Sequence, residues 1–192
     1  MGFLIARLIR PFLVIFSLCF LQAVQAQDKL PVEGDCLIRL LGEHINNPNV
    51  QELIEYMGLE PPYHHLRGTE IISPQKGIRI TFDKEFRLIA IALFNSNYVS
   101  NGRTYSRFGG QLPFKITFKE GQTDLEAKLG KKGKVKNSPD STFISFRHEL
   151  IVDVISSPAK DGELYYVSFM LKKKNKSYSS PAKLNCDSLA KE

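Results

Sequence analysis

The residue types best suited to chemistry are sparse in this chain and poorly spaced for it. There are four histidines in 192 residues, and only His64 and His65 adjoin. Neighbouring histidines in an extended segment project to opposite sides, so a metal site there needs further ligands, with His44, His148 or Glu70 as candidates. Without them the pair reads as solvent-exposed loop histidines, and the catalytic alternative is a small periplasmic hydrolase using His64 or His65. The carboxylates Asp83, Asp153 and Asp161 are scattered among turns and strands, so spacing argues for no acid pair. No GxSxG, HExxH or glycine-rich phosphate loop occurs. The reading is therefore of a non-enzyme with no catalytic residue, no metal and no cofactor.

Residue types suited to contact are better represented. Tyr98, Arg103, Tyr105, Arg107, Phe108, Tyr165 and Tyr166 combine aromatic and guanidinium side chains in strand-like stretches. An antiparallel sheet often leaves one face wet, and such residues there make a partner surface. Core packing competes for Phe108 and for one of Tyr165 and Tyr166, which in a regular strand point to opposite sides. The candidate binding residues are Tyr63, His64, His65, Arg103, Tyr105, Arg107 and Tyr165.

The first 26 residues have the pattern of an export signal. Arg7 and Arg10 precede an apolar run from Phe12 to Leu21, and Val24 and Ala26 fit a small-x-small cleavage site before Gln27. Cys19 lies inside that run behind Leu18, which is not the small residue a lipid-attachment cysteine wants. Cleavage leaves Cys36 and Cys186, expected to form one structural disulfide in an oxidising compartment. Losing Arg7 and Arg10, with no acid in residues 1–26, lowers the formal net charge from +6 to +4. Localisation is read as periplasmic or secreted, with membrane contact only through the signal peptide before cleavage and no nucleic-acid partner. Basic residues gather at Lys128–Lys136 and Lys172–Lys176, as solvated lysines or as a seat for anionic envelope polymer.

The elements that must position these residues follow from periodicity and punctuation. Leu37, Leu40, Leu41 and Ile45 form a helical stripe over Cys36–His44. Asn47 caps a second helix, Pro48 lies in its first turn, Val50, Leu53, Ile54 and Met57 mark its buried face, and Gly58 stops it. Residues 59–68 read as a loop. Strands are expected over Thr69–Ile72, Gly77–Asp83, Phe86–Phe94 and Arg103–Phe108, with Phe86–Phe94 central by its apolar run. Leu112–Phe118 alternates Phe114, Ile116 and Phe118 as a strand. Thr123 and Glu126 form a capping box for a helix that carries Leu125 and Leu129 and stops at Gly130. Residues 131–140 are a basic loop, and strands follow over Thr142–Phe146, Glu149–Ile155 and Glu163–Leu171.

Two halves share this plan, with Gly58 and Gly130 72 positions apart. The fold class is α+β, short helices on antiparallel meander sheet or sheets, read as a tandem repeat of a helix-plus-meander unit. The divisions are a signal peptide at 1–26, a first half at 27–108 and a second at 109–192. Thr123, Leu125, Leu129-Gly130 and the strands to Leu171, with a weaker match over Val50–Phe94, resemble the BamE-like and beta-lactamase-inhibitor-like small exported bacterial domains. In this chain Lys131 and Lys132 follow Gly130, where those domains often carry proline, and no cysteine fits lipidation. The resemblance implies a non-catalytic protein-binding scaffold and transfers no site residue. The partner expected is a cell-envelope protein, bound as an inhibitor, an immunity factor or an envelope-assembly accessory, and the oligomeric state is left open.

Overall fold

The computed structural model describes residues 34–58, 63–65, 68–95, 98–100, 102–139, 141–147, 150–156, 163–174 and 177–178. Eight strands form one antiparallel sheet. They are β1 (Tyr63–His65), β2 (Gly68–Ser73), β3 (Ile78–Phe82), β4 (Leu88–Phe94), β7 (Lys134–Ser138), β8 (Ser141–Arg147), β9 (Leu150–Ser156) and β10 (Leu164–Leu171). The spatial order is β1-β2-β3-β4-β10-β9-β8-β7. Two four-stranded meanders thus join where β4 meets β10, and Ala92 faces Ser168 at the middle of that join. The apolar run of β4 is central, as its composition predicts. Short hairpins pair β5 (Tyr98–Ser100) with β6 (Arg103–Tyr105), and β11 (Lys173–Lys174) with β12 (Ser177–Tyr178).

One sheet face is roofed by helices α1 (Asp35–Arg39), α2 (Pro48–Tyr56) and α3 (Gln122–Leu129). Leu37, Leu41, Val50, Leu53 and Leu125 meet Ile78, Ile80, Ile91, Val154 and Phe169 in a single apolar cluster spanning both halves. Full burial of each such side chain contributes roughly 1.5–3 kcal/mol. The Asn47 side chain accepts from the Asn49 N–H at 2.9 Å, which starts α2 with Pro48 in its first turn. Gly58 (φ 74°) and Gly130 (φ 66°) end α2 and α3 in the left-handed region.

Several boundaries differ from the periodic reading. Residues 112–118 are no strand: Pro113–Lys115 is a 3-10 turn in which Phe114 (φ 59°) and Lys115 (φ 53°) reverse the chain. Leu112, Ile116 and Phe118 still reach the core, so the alternation reports burial without a ladder. The N-cap of α3 is Gly121, not Thr123, and Asp124 Oδ2 accepts from the Gly121 N–H at 3.3 Å. Glu126 instead accepts from Gly133 N–H at 3.1 Å and from Gln122 Nε2 at 2.8 Å. The first helix ends at Arg39, because residues 42–45 pair with 86–88: Gly42 N–H donates to Leu88 O, and Ile45 N–H to Phe86 O. That contact also explains why β4 starts at Leu88, with Phe86 at φ 57° and exposed. Asp83 is buried in this turn and accepts from the Glu85 and Arg87 N–H groups. The expected loop at 59–68 contains edge strand β1, and the expected basic loop contains the opposite edge, β7.

The chain passes around one end of the sheet between Tyr105 and Phe108. Ser106 N–H donates to Pro74 O and Phe108 N–H to Phe94 O, both at 2.8 Å. Gly77 makes this crossing possible: at φ +66° a Cβ there would stand 2.4 Å from Ser106 O and 2.7 Å from Phe108 N.

Candidate functional site: the helix-free face of the sheet

Strand alternation sends the other half of the side chains to the face away from the helices. Register places them in rows. Ile72, Arg79, Ala92, Ser168, Asp153, Ser145 and Lys134 lie in one row from β2 to β7. Phe94, Tyr166, Ile155, Phe143 and Lys136 form the row on one side. Thr81, Ala90, Met170, Ile151 and Arg147 form the row on the other.

One end of this face is covered. The β5–β6 hairpin lays Tyr105 on Phe94, with ring centroids 3.8 Å apart and planes at 19°. Tyr98 stacks on Phe94 at 5.5 Å, and Arg79 caps the same ring, its guanidinium carbon 5.5 Å from the centroid. With Ile72 and Ala92 these residues make a second, smaller apolar cluster. Beyond that end, Phe143, Ile151, Ile155, Tyr165, Tyr166 and Met170 are all part-exposed, and Lys134, Lys136 and Arg147 are exposed at the β7–β8 border.

Tyr165 and Tyr166 do not point to opposite sides. A β-bulge between Leu164 and Tyr166 breaks the alternation, and both rings approach Tyr98, at 5.7 Å and 5.4 Å. Burial pushes the Tyr166 hydroxyl above its ordinary pKa of 10.0; Tyr98 and Asp153 add to that, and Arg79 opposes it. Arg79 and Asp153 thus act on one phenol from either side.

The sequence-predicted residues divide. Tyr165 belongs to this face. Tyr105 is 2% exposed, so it packs the hairpin down and is no contact residue. Arg103 is half-buried on β6. Arg107 lies beyond the crossing, exposed, with its guanidinium 5.6 Å from the Phe118 ring centroid. It lines a separate shallow groove of about 410 Å³ with Leu112, Ile116 and Phe118. Phe108 is core, as expected. Tyr63, His64 and His65 pair through β1 with Glu70, Thr69 and Gly68 at the far edge. His148, Asp161 and Cys186 lie outside the described residues, as do residues 1–33. Among the described residues, no group of three His, Cys, Asp or Glu could hold a metal ion, and no helix is long and apolar enough to cross a membrane.

Sequence reasoning missed Arg79, Phe143, Ser145, Ile151, Asp153, Ile155 and Met170. The signal was present in ELIVDVI: once Leu150, Val152 and Val154 face the core, Ile151, Asp153 and Ile155 must face away. Comparison with known proteins gives no match to a family model, a curated protein or a solved structure.

Proposed function

We propose that this chain is an exported bacterial protein-binding module, non-catalytic, that docks an envelope protein on its helix-free sheet face. The observation that carries the reading is the band of Phe143, Ile151, Ile155, Tyr166 and Met170, part-exposed on three consecutive strands in an otherwise well-buried fold. Isolated exposed apolar side chains are ordinary; a contiguous band with charged residues at its border is the anatomy of an interface. Inhibitor, immunity and envelope-assembly roles are each compatible with such a face. The signal-like residues 1–26 support export.

The tandem-repeat reading belongs here too. A glycine-stopped helix precedes each meander, and the meanders meet about Ala92 and Ser168 as two copies related by a two-fold would. β1 starts 71 positions before β7, β3 72 before β9, and β4 76 before β10, close to the 72 between the two glycines. This arrangement supports the resemblance to tandem beta-lactamase-inhibitor-like domains. Cys36 carries a disulfide, which supports the proposed clasp to Cys186.

The test is capture of a partner from an envelope extract by the mature protein, in parallel with a Phe143→Glu/Ile155→Glu variant. One protein is expected to be retained by the native chain and lost with the variant, whose melting temperature is checked alongside. Equal capture by both overturns the reading. A second reading, binding of anionic envelope polymer, is favoured by Lys131, Lys132, Lys134 and Lys136, all exposed along the β7 edge. Polymer binding would weaken steeply with salt, whereas capture through the apolar band would not. The hydrolase alternative is tested by His64→Ala/His65→Ala, expected to leave capture unchanged.

A further inference from the structure

Resting on the reading of the helix-free face as a docking surface, we infer that Asp153 with Tyr98, Tyr165 and Tyr166 receives a cationic side chain of the partner, an arginine or lysine. Asp153 stands in the middle of the face, on β9 between Ser145 and Ser168. Its Oδ1 is shut off from solvent and accepts no hydrogen bond. The Oγ of Ser145, directly opposite and in a residue only 6% exposed, is also buried without a partner.

Buried polar atoms are nearly always paired, because leaving one unpaired costs about 1–3 kcal/mol, and more for a charged group. Two adjacent exceptions leave the Asp153 carboxylate poorly compensated by the described residues, and the residue itself is part-exposed, so a cation from outside can approach its other oxygen. Of the two cations in the same row, Arg79 lies three strands away and caps Phe94. Lys134, next to Ser145 in the row, is exposed at the edge strand.

The aromatic neighbours set the chemistry of the guest. The bulge turns Tyr165 and Tyr166 together toward Tyr98, gathering three rings of which Tyr166 feels the Asp153 carboxylate. Ring faces attract cations, and a carboxylate oxygen accepts a strong charge-assisted hydrogen bond from a guanidinium or ammonium. An anionic guest would meet Asp153 unfavourably and gain nothing from the ring faces. Arg79 on the Phe94 side keeps the incoming cation to the Asp153 side of Tyr166.

The experiment is an amide-resolved NMR titration of the mature protein with acetyl-arginine-methylamide, with acetyl-citrulline-methylamide as its neutral isostere. The expected result is saturable shifts centred on Ser145, Asp153, Tyr166 and Ser168 with the arginine probe alone. Affinity should fall about tenfold in Asp153→Asn, equivalent to about 1.4 kcal/mol. It should be unchanged in Asp124→Asn on the far surface. Should Asp153→Asn not fold, Tyr98→Leu serves instead, with a several-fold loss expected. Equal responses to both probes, shifts centred elsewhere, no saturation, or full affinity in Asp153→Asn each overturn the inference. The titration uses no partner, so its failure with intact partner capture removes this inference alone. Saturable arginine binding alongside capture that ignores Phe143→Glu/Ile155→Glu removes the docking reading instead.

Discussion

The two faces of the sheet are built from the same strands and treated in opposite ways. On the helix face, Phe82, Ile80, Leu93, Val154 and Phe169 are 0% exposed. On the other, the alternate residues of those strands include Thr81, Asp153, Ile155 and Met170, all part-exposed. Its Phe94 end is closed by a hairpin that brings its own aromatic rings. The difference is one of burial: the helix face is closed, and the other leaves apolar and charged groups part-exposed, which is what the proposed docking reading requires.

Substitutions sharpen that contrast in order of size. Phe169→Ala on the helix face should cost about 3–5 kcal/mol in denaturant unfolding, whereas Ile155→Ala on the other face should cost clearly less, about 1 kcal/mol. Equal losses would mean the second face is a core. Gly77→Ala comes next: a left-handed residue gains a Cβ against backbone, for about 2–4 kcal/mol from strain plus overpacking. Gly58→Ala, with the same backbone sign but open space around it, should cost only about 1 kcal/mol. A Gly77→Ala melt matching Gly58→Ala would show that the crossing at 106–108 yields easily.

Titration gives the smallest effects. The Tyr166 pKa is raised in the folded state, so its contribution is complete below the ordinary pKa of 10.0 and is lost as pH rises through the folded value. Tyr166→Phe should therefore flatten the loss of stability above pH 10, and an unchanged alkaline slope would place the phenol in water. The Glu126 carboxyl is lowered by hydrogen bonds from Gln122 and Gly133, so its contribution is present above the ordinary value of 4.5 and fades as pH falls below it. Glu126→Gln should remove a small part of the acid sensitivity.

Much of the helix face was legible in sequence, because periodicity reports burial directly. Val50, Leu53, Ile54 and Met57 predicted α2 and its buried side, and the apolar run to Phe94 predicted a central strand. The edges were not legible. β1 hides behind Pro61 and Pro62, and β7 reads as a loop because lysines that guard an open edge carry no apolar period. Residues 112–118 misled in the other direction, since a turn can bury alternate side chains as a strand does. The candidate site was half visible: Tyr165 was named, but a one-residue bulge decides where it points, and periodicity cannot see a bulge.

The central claim is that the helix-free face is the contact surface. Placing a photo-crosslinking residue at Ile155 and, separately, at Glu52 on the exposed side of α2, then irradiating cells expressing the full chain, tests it most directly. One discrete adduct from position 155 and none from position 52 is the predicted result. An adduct from position 52 alone, or none from either in cells where the extract yields a partner, would contradict it.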